Sequence, residues 1–181
     1  LVRDGGTLQI GIGAMGDALS AALLARQADN AGYRALLDEL DLSPWQALIQ
    51  AEGGVEPFAT GLYGCSEMFV NGLLALAEAG VIRRKVYPDV ARQAASNAGV
   101  LQTAEDRDGV VVHGGFFLGP NSFYQRLREL PSASLAQFDM TAISYINELY
   151  GDEQLKRLQR RDARFINTVF TATVMGAAVS D

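Results

Sequence analysis

The chain has 181 residues, of which 49% are apolar and 20% charged, the balance of a soluble globular domain with a sizeable core. A net charge of −6, without a basic stripe interleaved with aromatics, argues against a nucleic-acid partner. Because neither a signal peptide nor an apolar run of about 18 residues is present, we expect a cytoplasmic protein without membrane contact.

The first predicted element is a strand over residues 7–12, followed by a tight glycine turn and a helix over residues 17–27. Such a strand–loop–helix unit lets a ligand approach the backbone closely. Gly11, Gly13 and Gly16 match the G-x-G-x-x-G pattern of dinucleotide-binding folds. No acidic residue follows at the end of a second strand about 20 residues later, so the pattern is weak evidence for a nicotinamide cofactor.

Residues 29–57 are predicted to form a helical elaboration within the domain. Apolar residues in this stretch recur at helical spacing in two short helices, and we expect them to face inward. They are Tyr33, Leu36, Leu37 and Leu40 in the first helix and Trp45, Leu48 and Ile49 in the second. Residues 58–63 are predicted to be a second strand.

The stretch from Gly61 to Gly72 is the centre of the functional hypothesis. Ser66 is a good N-cap, the apolar segment 68–79 has helical spacing, and Gly80 lies where a helix commonly ends. Glu67 is therefore predicted to be the first residue of a buried helix, where the helix dipole would keep its carboxylate ionised. The alternative is an acidic residue of the kind that helix starts commonly contain.

The second half of the chain continues the alternation of strands and helices. A short strand is predicted within residues 81–87, a helix from 89 to 98 and a buried central strand within 109–117. A helix over 120–130, an ambiguous segment over 140–150, a charged exposed helix over 152–161 and a strand over 165–174 follow. The basic groups at 83–85 and 156–164 are interpreted as solvated faces or contacts for phosphates.

The chain contains one cysteine, Cys65, and one histidine, His113. A single cysteine excludes an internal disulfide and fits a reducing compartment, and this pair alone makes a metal site unexpected. Cys65 is interpreted as a small buried thiol or, less favourably, as half of a Cys–His dyad. His113 is interpreted as a hydrogen-bonded core residue or an acid–base group.

Several segments, taken in order, resemble the acetyl-CoA hydrolase/transferase family of class I coenzyme A transferases. The segments are 8–13 (Leu-Gln-Ile-Gly-Ile-Gly), 64–69 (Gly-Cys-Ser-Glu-Met-Phe), 112–120 (Val-His-Gly-Gly-Phe-Phe-Leu-Gly-Pro), 164–168 (Arg-Phe-Ile-Asn-Thr) and 176–181 (Gly-Ala-Ala-Val-Ser-Asp). The resemblance implies an open three-layer α/β/α sheet of the CoA-transferase type, mostly parallel with some mixed strands. It implies that residues 1–181 form one C-terminal catalytic domain, preceded by a related domain and continuing past Asp181.

The resemblance also implies the reaction. The family's nucleophilic glutamate aligns with Glu67, which would form a glutamyl-CoA thioester during acyl-CoA hydrolysis or CoA transfer between carboxylic acids. Coenzyme A would then be a substrate, with no resident cofactor, and the protein would be a homo-oligomer. A pocket for acyl-CoA and small carboxylic acids is expected from a set of residues near the glutamate: Gln9, Gly11, Ile12, Gly13, Gly64, Ser66, Gly114 and Gly115.

The chain departs from the family pattern beside the glutamate. Cys65 and Ser66 stand where many members have histidine and threonine, and Asn71 stands where many have aspartate. These differences bear on the choice of acceptor more than on the mechanism. Because a further glycine-rich loop of the family lies past Asp181, we expect this chain alone to be inactive or nearly so.

Two other functions remain open on the sequence. A non-catalytic α/β domain that binds acyl-CoA, or serves as a scaffold, would use the same glycine-rich loops. A sugar-phosphate isomerase or deaminase would share the fold class, but the single histidine argues against it.

Overall fold

The computed structural model describes residues 1–102, 106 and 108–179. Five strands form the main sheet, and two short ones form a separate antiparallel ribbon. The main strands are β1 (Thr7–Ile10), β2 (Tyr63–Val70), β3 (Val112–Leu118), β4 (Phe138–Met140) and β5 (Ala163–Ile166); the ribbon contains β6 (Thr171–Ala172) and β7 (Ala178–Val179). Ser180 and Asp181, which end the last family-like segment, lie outside the described residues.

The helices alternate with these strands along the chain. They are α1 (Ala14–Ala28), α2 (Asn30–Glu39), α3 (Gln46–Glu52), α4 (Asn71–Glu78), α5 (Val90–Asn97), α6 (Asn121–Glu129), α7 (Ser132–Leu135), α8 (Ile143–Asn147) and α9 (Glu153–Gln159). A 3-10 turn over Ser43–Trp45 precedes α3. Among the described residues, none of these helices combines the length and apolar character needed to cross a membrane.

The main sheet has the strand order β4-β3-β2-β1-β5, and all four pairings in it are parallel. The mixed strands expected in this sheet are therefore not found, since the described antiparallel strands belong to the small ribbon. The chain moves outward from β1 to β4 and then returns to the opposite side of β1 for β5. The order thus reverses between β1 and β5, and open α/β sheets bind ligands at the carboxyl ends of strands beside such a point.

Helices cover both faces of the sheet, consistent with a three-layer α/β/α fold. On one face, Leu8 and Ile10 of β1 share a buried cluster with Leu23 of α1 and Leu73 of α4. Side chains of the alternate register point to the other face, where Tyr63 and Cys65 of β2 pack with Ile146 of α8. Helix α8 contacts β2 and β3, and α5 packs on α9.

Most local predictions in the two halves of the chain are confirmed within a few residues. The strand at 7–12, the helix at 17–27, the helix after Asp89 and the helix at 120–130 correspond to β1, α1, α5 and α6. Asp89 accepts a hydrogen bond from the Arg92 N–H as the N-cap of α5. The central strand at 109–117 corresponds to β3, which lies between β2 and β4.

The predicted helix start at Glu67 is wrong. Glu67 lies inside β2, and α4 begins at Asn71. The Ser66 hydroxyl donates to the Met68 carbonyl and does not cap a helix. Residues 68–70 pair with residues 116–118 of β3, so ladder hydrogen bonds replace the helical bonds that the apolar spacing suggested. The predicted end is confirmed, because Gly80 follows the C-cap of α4 with a φ of 70°.

Three strand predictions also require correction. Residues 58–63 contribute only the first residue of β2. Residues 81–87 form isolated bridges at Ile82 and Val86, not a strand. The strand predicted at 165–174 is divided between the end of β5 and the separate β6.

Candidate active site

A cavity lies beside β1 and β5, on the face of the sheet that α8 and α9 cover, and extends to the turns after these two strands. It has a volume of about 930 Å³. Its wall combines residues of β1, β2, α8, α9 and β5 with the turns that follow them: Gln9, Gly11, Ile12, Cys65, Glu67, Met68, Ile146, Asn147, Leu149, Lys156, Arg157, Arg160, Ala163, Phe165, Asn167, Thr168 and Phe170. The cavity therefore reaches the position at which the strand order favours a ligand.

Glu67 is half-buried in the wall of this cavity. The alternation of β2 is interrupted there, because Glu67 and Met68 are both partly exposed and both line the cavity. One carboxylate oxygen, Oε2, accepts a hydrogen bond of 2.8 Å from Nδ2 of Asn147. Strand β2 thus presents an oriented carboxylate to the cavity, although the helix dipole expected to support it is not there.

Gly115 of β3 controls how closely α8 approaches Glu67. A Cβ atom at this position would lie 2.9 Å from the Glu67 carbonyl oxygen and 2.9 Å from Cγ1 of Ile143, the first residue of α8. Both distances are shorter than real Cβ contacts. The missing side chain therefore lets α8 lie against the sheet and bring Asn147 to Glu67.

Three of the expected pocket residues, Gln9, Gly11 and Ile12, line the cavity together with Glu67. Nε2 of Gln9 donates to Oδ1 of Asn167 over 2.8 Å, which joins the ends of β1 and β5. The Gly11 N–H, in the glycine turn after β1, donates to the Ile166 carbonyl at 3.1 Å. It is therefore already engaged and is not a free donor for a ligand.

The structure places the other expected pocket residues away from this cavity. Gly13 borders a smaller cavity of about 370 Å³ at the start of α1. Gly64 faces Val112, and Ser66 is buried. Gly114 accommodates Met140, whose Sδ would lie 3.2 Å from a Cβ at that position. Gly64, Ser66 and Gly114 lie within β2 and β3 beside the site, and none of the four residues lines the cavity.

His113 is a buried, hydrogen-bonded residue and does not line the cavity. It is the second residue of β3. The Tyr63 hydroxyl lies 2.7 Å from Nδ1, and Oδ2 of Asp139 lies 3.2 Å from Nε2. Because Asp139 can only accept, the neutral ring carries its proton on Nε2 and Tyr63 donates to Nδ1. Burial lowers the pKa of His113, which keeps this neutral form.

Cys65 pairs with His113 across the parallel strands, but the two side chains do not form a catalytic dyad. Both nitrogens of His113 have other partners, and burial raises the pKa of the Cys65 thiol. Arg160 opposes that increase only in part. Cys65 is therefore a neutral thiol in the cavity wall, and a thiolate nucleophile is not supported.

Sequence reasoning missed Asn147 of α8. It named Lys156 and Arg160 only within a basic group interpreted as a solvated face or a contact for phosphates, and all three residues line the cavity. Asn147 falls in the segment that fits both helix and strand, and the two cations fall in a helix expected to be exposed. Asn167 lies within a family-like segment, so that resemblance alone offered a signal for it.

Two cavity residues have buried polar atoms whose partners are missing within the described part of the chain. These atoms are Oε1 of Gln9, an acceptor, and Nε of Arg160, a donor. Native proteins leave few such atoms unpaired. No group of three or more His, Cys, Asp or Glu side chains suited to a metal ion occurs among the described residues.

Comparisons with known proteins identify no relative: the chain matches no protein-family model, no curated protein and no solved structure.

Proposed function

We propose that the chain is an acyl-CoA hydrolase or CoA-transferase of the class I type and that it acts through a glutamyl-CoA thioester on Glu67. The family resemblance supplies the reaction, and one structural observation carries the assignment. The Glu67 carboxylate is half-buried in the wall of the cavity beside β1 and β5, and its Oε2 accepts a hydrogen bond from Asn147 Nδ2. This is the arrangement that an oriented carboxylate nucleophile needs.

In the first half of the reaction, Oε1 of Glu67 attacks the thioester carbonyl of acyl-CoA. The carbon–sulfur bond breaks, which leaves an acyl-glutamyl anhydride and CoA thiolate. The thiolate then attacks the side-chain carbonyl carbon of Glu67. The bond from this carbon to Oε1 breaks, the acyl group leaves as a carboxylate, and a glutamyl-CoA thioester remains.

In the second half, an acceptor carboxylate attacks the glutamyl thioester and expels CoA thiolate. The thiolate attacks the acceptor's carbonyl carbon in the new anhydride, which releases the acceptor as its CoA ester and restores Glu67. When water attacks the thioester instead, CoA and the free Glu67 carboxylate are the products. Transfer and hydrolysis therefore share the same covalent intermediate.

Asn147 has a specific role in this scheme. When thiolate attacks the Glu67 side-chain carbonyl, negative charge develops on Oε2, the oxygen that already accepts from Asn147 Nδ2. A hydrogen bond that strengthens with developing charge lowers the barrier, and single donors of this kind contribute about 3–4 kcal/mol in well-studied cases. Asn147 thus offers an oxyanion donor in place of the engaged Gly11 N–H.

The cavity also suits a ligand with both polar and apolar parts. Its volume of about 930 Å³ lies within the usual range of ligand pockets, roughly 300–1,000 Å³. Phe165, Leu149 and Phe170 supply apolar wall, while Gln9 and Asn167 supply polar groups. An isomerase that needs a histidine acid–base group is disfavoured, because His113 lies outside the cavity.

The test is chemical trapping on the full chain. Incubation with acyl-CoA followed by borohydride should reduce a glutamyl thioester, and peptide mass spectrometry should locate the product at Glu67. We expect Glu67→Gln to abolish trapping, since an amide is not a nucleophile of this kind. Glu78→Gln is the matched control, because Glu78 pairs with Arg126 and does not line the cavity.

The alternative function gives a different result in the same experiment. A domain that only binds acyl-CoA would bind it measurably by calorimetry, equally in the wild type and in Glu67→Gln, and would yield no trapped product. Trapping at a residue other than Glu67 would contradict the assigned nucleophile.

A further inference from the structure

Arg160, the residue that follows α9, binds the carboxyl end of α8, the short helix that carries Asn147. The Arg160 guanidinium donates from Nη1 to the Ile146 carbonyl at 3.0 Å and from Nη2 to the Tyr145 carbonyl at 2.5 Å. The last carbonyls of a helix lack partners within it and carry its negative dipole end. Arg160 therefore binds the two residues immediately before Asn147.

A second cation of α9 binds the chain just after Asn147. Nζ of Lys156 donates to the Glu148 carbonyl at 2.8 Å and to the Tyr150 carbonyl at 3.1 Å. Lys156 is only 2% exposed, so its ammonium group relies on these carbonyls in place of water. The two cations thus hold the backbone on both sides of Asn147.

The ring of Tyr145 completes this arrangement. Nζ of Lys156 lies 4.7 Å from the ring centroid, and the Arg160 guanidinium carbon lies 5.9 Å from it. The Tyr145 hydroxyl donates to Oε1 of Gln159, which belongs to the same helix as Lys156. Cation–π attraction adds to the hydrogen bonds and limits rotation of α8 against α9.

Neither Lys156 nor Arg160 forms an ion pair within the described residues. No carboxylate of the described residues lies within salt-bridge distance of Lys156 or Arg160, whereas Arg157 on the same helix pairs with Glu153. A basic residue on an exposed helix face would normally remain solvated. Lys156 and Arg160 instead direct their donors to the main chain around one side chain, Asn147.

We infer that Lys156 and Arg160 are positioning residues, which hold the carboxyl end of α8 so that Asn147 Nδ2 meets Glu67 Oε2. Neither cation needs to touch the substrate, because each acts through the backbone on which Asn147 is placed. That the two cations hold Asn147 against Glu67 is a statement about the structure alone. The effect of this positioning on thioester formation rests on the proposed function, so the two are tested separately.

The structural claim is tested by NMR on the full chain. The side-chain amide signal of Asn147, assigned by its loss in Asn147→Asp, should move when Glu67→Gln removes the carboxylate that accepts from Nδ2. We expect Arg160→Gln and Lys156→Met to reduce that movement at least about twofold, because the carbonyls around Asn147 lose their donors. Arg83→Gln is the matched control, since Arg83 also donates to main-chain carbonyls, those of Phe58 and Ala59.

Conservative variants distinguish a loss of positioning from a loss of the fold. Arg160→Lys and Lys156→Arg keep the charge but change the number and direction of the donors, so they should give intermediate movement of the Asn147 signal. Retention of the full wild-type movement in Arg160→Gln and in Lys156→Met, or an equal loss in Arg83→Gln, would overturn the inference.

The catalytic consequence is tested by the rate of borohydride-trapped thioester formation. Arg160→Gln should lower this rate by the same factor as Asn147→Ala, about tenfold or more, and the double variant should be no slower than Asn147→Ala. Additive losses, or an unchanged rate with an altered Asn147 signal, would contradict a positioning role in catalysis. If the wild type forms no thioester, the proposed function fails while the NMR result still decides the structural claim.

Discussion

Helix α9 is more buried than its sequence predicts, whereas the helical elaboration at 29–57 is more exposed than its sequence predicts. The predicted helix over residues 152–161 appeared charged and exposed, yet Leu155, Lys156 and Gln159 are buried. The elaboration appeared amphipathic, yet α2 and α3 contain no buried residue. Trp45 and Leu36, which were expected to face inward, are 59% and 50% exposed.

The difference shows that burial requires a partner as well as a suitable side chain. An apolar stripe states only which side of a helix would gain from contact. Helix α2 of the elaboration packs on α1, while Leu40 and Leu48 remain exposed. Helix α9 lies beside the carbonyls of α8, and these unpaired acceptors are what make burial of Lys156 favourable.

Among the variants at α8, α9 and β3, the largest change in stability is expected from Lys156→Met. The substitution keeps the apolar stem but removes the donor of two part-buried carbonyls. A buried acceptor left without its donor costs about 1–3 kcal/mol of stability. Relief of the buried charge offsets part of this loss, so we expect the free energy of unfolding to fall by about 2–3 kcal/mol. Urea unfolding followed by circular dichroism measures it, and a neutral effect would mean that the carbonyls do not need Lys156.

Gly115→Ala should give the next largest effect, about 1–3 kcal/mol, because its Cβ would lie too close to Ile143 and to the Glu67 backbone. The same shift of α8 should weaken the contact between Asn147 and Glu67. The double variant Gly115→Ala/Ile143→Ala removes one of the two close contacts and should recover part of the change in the Asn147 signal. If the Asn147 signal did not recover, the close contact with the Glu67 backbone alone would account for the effect of Gly115→Ala.

A smaller, pH-dependent effect is expected from His113. Its pKa in the folded state is lowered from the ordinary value of 6.5 by burial, so the unfolded chain binds a proton that the folded chain does not. The neutral His113 therefore makes its full contribution to stability above pH 6.5. This contribution is lost as the pH falls from 6.5 toward the lower pKa of the folded state. Comparing urea unfolding at about pH 7.5 and about pH 5.5, we expect a larger acid loss in the wild type than in His113→Gln. An equal loss would exclude this linkage.

The smallest effect is expected in the elaboration. Trp45→Ser should change the free energy of unfolding by no more than about 0.5 kcal/mol, because the side chain is largely exposed. Phe69→Ala is the contrasting control, since Phe69 is fully buried among other aromatic rings and should cost about 3–5 kcal/mol. A comparable loss for Trp45→Ser would show that the elaboration is packed more firmly than its exposure indicates.

The candidate site was only partly predictable. Glu67 and the turn after β1 were singled out from local sequence and resemblance, and they line one cavity with Gln9. The reason given for Glu67 was wrong, since its orientation comes from β2 and Asn147, not from a helix dipole. Asn147 lies 80 residues away in sequence, and no local pattern indicates a partner at that distance.

The sequence by itself determined the elements whose signals are local: β1 before its glycine turn, α5 after the Asp89 cap, and the end of α4 before Gly80. Short-range hydrogen bonds and backbone preferences decide these features, and a few neighbouring residues specify them. Only the tertiary structure decided that Glu67 belongs to a strand, because the partners of residues 68–70 are in β3. The burial of Lys156 likewise depends on acceptors that α8 supplies, and such pairing between distant segments exists only once the chain has folded.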